Sequence, residues 1–123
     1  MRIIPRRKKK LNQVKFAEQW QDLQKLCGTR KTWPQAIFEA DKLVDDALKR
    51  LKYKGKTTGE RLVAAQHDLT SNDMIWFGHK LRNKLEQDDI DVRTLKKQDI
   101  IDALNGFRQA LRDLGALEAR RDK

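Results

Sequence analysis

The sequence predicts an all-α protein: an antiparallel four-helix bundle with a short extra helix in its middle crossover. Apolar residues recur at spacings of three and four in separate segments, the period of a helix with one buried face. No sustained run of β-branched residues alternates with period two, so no strand is expected. Helix breakers are few, 2 prolines and 6 glycines in 123 residues, and Leu, Lys, Ala, Gln, Arg and Asp fill the rest.

The first helix is expected from about Leu11 to Leu26, where Phe16, Trp20, Leu23 and Cys27 form one continuous face. Gly28 supplies its stop, and Gly28-Thr29-Arg30-Lys31 reads as a turn. The second helix begins around Trp33-Pro34, because proline loses no amide partner in a first helical turn. Ile37, Ala40, Val44, Ala47 and Leu51 carry its stripe, with Leu43 and Leu48 widening it, and Gly55 ends it. Lys49, Arg50, Lys52, Lys54 and Lys56 crowd this exit, and the helix dipole accounts for part of that cluster.

Thr57-Thr58-Gly59 opens the short helix, which runs to roughly His67, a residue expected in a cap or turn. Ser71 is the expected N-cap of the next long helix, with Asn72 and Asp73 in its first turn. Met74, Phe77, Leu81 and Leu85 are assigned to its buried face, and the acidic loop Glu86 to Asp91 closes it. The last helix is the clearest: Ile100, Leu104, Phe107, Leu111 and Leu114 are spaced 4, 3, 4 and 3, ahead of a Gly115 stop. Ala103, Gly106 and Ala110 flank that stripe and would let a neighbouring helix approach closely.

The chain divides into a basic N-terminal arm at 1–10, a bundle domain at 11–117 and a basic tail at 118–123. Its length suits one modest core. Apolar residues make up 38% and charged residues 37%, so no segment supplies the ~20 apolar residues of a membrane span. No apolar signal-peptide core follows the basic start, and the expected location is the cytoplasm. Cys27 is the single cysteine, read as a buried structural thiol, so no internal disulfide is expected. Two histidines, one cysteine and no carboxylate–His repeat offer no metal-ligand set, and no glycine loop cradles a phosphate. No metal and no cofactor are expected.

The net charge of +10 sits at the ends. Arg2, Arg6, Arg7, Lys8, Lys9, Lys10 and Lys15 give +7 with no acid in residues 1–15, and the last four residues add +2. The intervening 104 residues hold 18 basic and 17 acidic side chains. Such an arm is the electrostatic footprint of a polyanion partner, and without interleaved aromatics it contacts phosphates rather than reading bases.

His79-Lys80-Leu81-Arg82-Asn83 resembles the Arg-Asn-x-x-x-His signature of the HEPN superfamily of small helical proteins, many of them RNases. Two further segments, 36–48 and Gly55-Lys56-Thr57-Thr58-Gly59-Glu60-Arg61-Leu62, resemble a group of bacterial HEPN-like proteins, and the three together span about 33–115. In active members the resemblance implies two protomers whose Arg and His side chains meet in a groove for metal-independent RNA cleavage. Carried across, Arg82 would be the cation and Asn83 a helix-orienting or phosphate-contacting group. The position of the motif histidine holds Gln87, and a carboxamide does not shuttle protons at neutral pH.

The reading that follows is a non-catalytic binding module, a homodimer contacting RNA or a ribonucleoprotein through its basic arm. The first alternative is an RNase that uses Arg82 with His79 standing in for the missing histidine. The second is a protein–protein adaptor whose arm docks on an anionic surface, a weak contact in the case of a membrane. Glu39, Asp41, His79 and Arg82 are the candidate groove residues: a carboxylate on the second helix would hold the Arg82 guanidinium. Asp41 as a solvated partner of Lys42 is the competing assignment, as are a structural ion pair for Arg82 and a carbonyl or carboxylate partner for His79.

Overall fold

The computed structural model of the protein describes residues 11–118. Of the predicted arm contacts, Arg2, Arg6, Arg7, Lys8, Lys9 and Lys10 lie outside the described residues, as does nearly all of the basic tail. The described chain is all-α, with five α-helices and no strand. They are α1 (Gln13–Gln24), α2 (Trp33–Arg50), α3 (Thr58–Ala64), α4 (Asn72–Glu86) and α5 (Lys97–Asp113). No helix among these residues is long and apolar enough to cross a membrane.

Local chemistry sets most of the boundaries. The Asn12 side chain caps α1 by accepting the Lys15 amide N–H at 3.1 Å. α1 ends at Gln24, earlier than its apolar face suggests, because the chain tightens into a 3-10 turn over Lys25–Gly28. Cys27 in that turn is half-buried rather than buried. Thr57 caps α3, accepting the Glu60 amide, while Glu60 accepts the Lys56 amide at 2.6 Å in return. α3 stops at Ala64, and His67 lies in the 3-10 turn Gln66–Asp68.

Ser71 occupies the N-cap position of α4 but makes no capping hydrogen bond, a correction to the expectation from sequence. Asn72, one residue on, fastens this entry instead by donating to the carbonyls of Gln66 and Leu69. Asp113 clamps the same junction from the end of α5, accepting the Thr70 amide at 2.8 Å and the Thr70 hydroxyl.

Three helices end in one motif. After α2, α4 and α5 the amides of Tyr53, Asp89 and Ala116 reach back to the carbonyls of Leu48, Lys84 and Leu111. This six-to-one closure needs a left-handed residue just past the helix, and glycine suits it best. Gly115 (φ 83) supplies it after α5, but Asp88 (φ 57) and Lys52 (φ 68) supply it after α4 and α2. A lysine there costs about 1 kcal/mol relative to glycine.

The core is built around α2, which packs on α1, α3, α4 and α5. Its buried positions Ile37, Ala40, Leu43, Val44, Ala47 and Leu48 follow the predicted stripe. α1 contributes Phe16, Trp20 and Leu23; α5 contributes Ile100, Phe107 and Leu111. The predicted face of α4 holds at Leu81 and Leu85 but not at Met74 and Phe77. Ile75, Gly78, His79, Leu81 and Leu85 are buried, while Met74 and Phe77 are 38% and 41% exposed.

The reason is a backbone contact. A Cβ on Gly106 would lie 2.3 Å from the Met74 carbonyl oxygen, and one on Gly78 would lie 2.8 Å from the Phe107 ring. These two glycines let α4 and α5, which run antiparallel, touch almost main chain to main chain. That approach fixes the rotation of α4 and turns Met74 and Phe77 outward. Replacing Gly106 with Ala meets backbone, which cannot step aside. Gly106→Ala is therefore expected to destabilise the fold by at least ~1–3 kcal/mol, read as a lower urea midpoint at unchanged m-value.

Candidate functional site

The polar residues of the His-x-x-Arg-Asn segment lie on one face of α4, because positions 79, 82, 83 and 86 are separated by three, one and three residues. That face turns toward α2, where Asp41 is buried at 5% exposure. The His79 ring donates from Nδ1 to Asp41 Oδ1 at 2.8 Å, and Asp41 Oδ2 lies 3.7 Å from Arg82 Nε. Arg82 Nη1 donates to Asn83 Oδ1 at 3.1 Å, and the Asn83 amide nitrogen faces His79 Nε2 at 3.5 Å. The four side chains close a circuit: Asp41, His79, Asn83, Arg82 and back to Asp41.

The circuit is walled in. The edge of Trp76 meets the His79 ring, with centroids 5.6 Å apart. Gly59, at the start of α3, passes over the same ring: a Cβ there would lie 3.7 Å from His79 Nε2. The His79 side chain is left only 9% exposed. Arg82 is more open to solvent, at 29%, stacked over Phe38 and paired with Glu86 one turn on. It forms one side of a shallow groove of about 510 Å³ with Phe38, Asp41, Lys42, Asp45 and Thr58.

A second ion pair supports the groove from α3. Arg61 binds Asp45 with two hydrogen bonds, 2.8 and 3.1 Å, and donates to the Gly55 carbonyl. Burial alone would raise the Asp45 carboxyl, but the Arg61 guanidinium, the Thr58 hydroxyl and the Lys49 charge outweigh it and hold it below its ordinary value.

Of the predicted groove residues, Asp41, His79 and Arg82 come together and Glu39 does not. Glu39 is exposed on another face of α2, held by Gln35 and set beside Gln19 and Asp22 of α1. Its separation from Asp41 by two positions turns it away from α4. Nor is Asp41 a solvated partner of Lys42. Gln87, at the motif-histidine position, is exposed and caps α4 through its amide N–H to Asn83 O at 3.1 Å. Lys15 is exposed on α1. The half-buried Cys27 thiol is raised by desolvation, which keeps it protonated and a poor nucleophile. Among the described residues no group of His, Cys, Asp and Glu side chains is placed to hold a metal ion.

Sequence reasoning missed Gly59, Trp76, Asp45 and Arg61 as parts of this site. Gly59 and Trp76 carry no signal of their own. The Asp45–Arg61 pair joins residues 16 apart, beyond any helical spacing.

Compared with protein-family models, with curated proteins and with solved structures, the chain finds no match in any of the three.

If Asp41 and His79 stabilise one another across the α2–α4 interface, their effects will not add. Asp41→Ala and His79→Ala are each expected to cost ~1–3 kcal/mol, with a coupling of at least ~1 kcal/mol in a double-mutant cycle. Additive losses would mean that the 2.8 Å hydrogen bond contributes nothing. Asp45 sets a pH dependence. Its carboxyl titrates lower in the folded than in the unfolded chain. Its stabilisation is thus complete above the unfolded value of about 3.9 and is lost as pH falls through the lower folded one. The gap in melting temperature between wild type and Asp45→Asn should accordingly narrow as pH is lowered from about 5 toward 2.

Proposed function

We propose that this chain is a HEPN-like four-helix bundle that keeps the frame of an RNase motif as a clasp between two helices and has lost its chemistry. It acts as a non-catalytic module, a homodimer that binds RNA or a ribonucleoprotein through its basic N-terminal run. One observation carries the non-catalytic half: the closed circuit of Asp41, His79, Asn83 and Arg82. A general base must reach the hydroxyl whose proton it takes. His79 directs Nδ1 at Asp41, its Nε2 faces the Asn83 amide at 3.5 Å, and the side chain, packed beside Gly59 and Trp76, is only 9% exposed. Arg82 divides its donors between Asn83 and Glu86 with Asp41 alongside, so its charge is largely met within the protein.

The RNA half rests on charge. Residues 1–15 carry seven cations and no acid, whereas the groove beside Arg82 sets three acids, Asp41, Asp45 and Glu86, against Lys42 and Arg82 and offers a phosphate backbone no excess of positive charge. Binding at the basic run and a neutral clasp in the bundle fit this distribution. Cleavage at the groove does not.

Incubation with labelled total RNA without added metal is the direct test. Wild type is expected to bind without cleaving, and His79→Ala is expected to melt earlier with no change in RNA products. Metal-independent cleavage abolished by Arg82→Ala would overturn this proposal in favour of an RNase using Arg82 and His79.

A further inference from the structure

The turn that closes α2 carries more positive charge than the helix it terminates can use. Residues 47–59 hold five cations, Lys49, Arg50, Lys52, Lys54 and Lys56, and no acid. All five are exposed. Only Lys49 has an ion pair among the described residues, at 3.4 Å from Asp45, whose carboxylate already binds Arg61 twice. The neighbouring acids are engaged elsewhere: Glu60 accepts the Lys56 amide N–H, and Asp68 accepts the Tyr53 hydroxyl.

The helix dipole favours cations within the last turn, which covers Lys49 and Arg50. It does not extend to Lys52, Lys54 and Lys56, which lie beyond carbonyls already capped by the Lys52 and Tyr53 amides. Lys52 also occupies the left-handed position where glycine is preferred, so a cation is kept there against the backbone's preference.

α1 brings a further cation to the same end. Lys15 and Arg50 line one groove of about 290 Å³ together with Leu11, Phe16 and a single acid, Asp46. Leu11 is bonded to Lys10, so the basic run of residues 1–10 joins the chain at this groove.

We infer that the α2 exit turn, with Lys15, is a second phosphate-backbone contact for RNA, in addition to the basic run that the sequence carries at 1–10. The inference rests on the RNA reading above and adds to it a fixed surface whose cations are positioned by the fold. A fixed surface loses less side-chain and backbone freedom on binding than a linear run does. It contacts phosphates and reads no bases, since the turn's one aromatic, Tyr53, is half-buried and tied to Asp68.

Binding of a labelled oligouridylate to the full-length chain, over a series of low salt concentrations, tests this. Each cation that no longer neutralises a phosphate of the single strand reduces the slope of log K against log salt by about 0.7. The variant K52Q/K54Q/K56Q is expected to lower the slope by about 2 and the affinity by at least about tenfold, with wild-type melting. The arm variant R6Q/R7Q/K8Q/K9Q/K10Q is expected to retain the share of the slope that belongs to the turn. K96Q/K97Q, at the start of α5, controls for total charge and should leave the slope unchanged. Lys52→Gly should melt a few degrees higher yet show a slope smaller by about 0.7, a combination that a purely structural lysine would not give.

Wild-type affinity and slope in the turn variant, with binding abolished in the arm variant, would overturn the inference and leave the RNA-binding proposal standing. An equal fall in K96Q/K97Q would overturn it too, by showing that total charge rather than the turn decides. Failure of wild type to bind the RNA, with turn-dependent binding to phosphatidylserine vesicles, would remove both RNA readings and leave an anionic membrane as the partner.

Discussion

The close approach of α4 to α5 decides which side chains of α4 meet α2. Gly106 admits the Met74 carbonyl where any side chain would exclude it, and Gly78 receives the edge of Phe107. Two packed helices touching at their main chains have little freedom to rotate about their axes. Once α4 is fixed, Ile75 and Leu85 face the core and His79 faces α2. Met74 and Phe77 take the outer flank. The meeting of His79 with Asp41 is thus a consequence of two missing side chains at the α4–α5 contact.

A buried carboxylate needs partners for both oxygens, and Asp41 finds them in one helix turn of α4: His79 on Oδ1 and Arg82 toward Oδ2. Asn83 then links His79 back to Arg82. In a motif built for catalysis such a carboxylate would orient a histidine whose far nitrogen is open to substrate. Here the far nitrogen faces the Asn83 amide at 3.5 Å on a side chain that is almost wholly buried. Asp41, His79, Asn83 and Arg82 therefore make a clasp between α2 and α4. Residue identity at helical spacing specifies which side chains share a face, and burial decides whether they act on a ligand or on each other.

The helices themselves were legible because periodicity, proline at a helix start and glycine at a helix end are local signals. α2 and α5 follow their apolar stripes closely, although Leu104 on α5 is only half-buried. α4 defeats the method for a physical reason. Its buried face includes Gly78 and His79, one without a side chain and one polar, so hydrophobicity shifts the assignment to Met74 and Phe77. The sequence separated Asp41 from Glu39 no better, since either carboxylate on α2 satisfies the idea of a partner for Arg82. Only the rotation of α4 chooses between them. Ser71 holds the expected N-cap position and lacks only the side-chain hydrogen bond.

The ends of α2 and α4 share one closing motif and carry opposite charge, which bears on what placed those charges. The helix dipole favours cations at a C-terminus, yet α4 ends in Glu86, Asp88 and Asp89, with Asp91 following. Part of this acidity is met locally, by Arg82 on Glu86 and Arg93 on Asp91. Asp88 also tolerates the left-handed conformation better than most residues. Lysine has no such aptitude, and Lys52 holds the same position at the end of α2. If the dipole or the turn geometry chose these residues, the two ends would resemble each other. Neither the dipole nor the turn geometry alone therefore accounts for the charge at both ends.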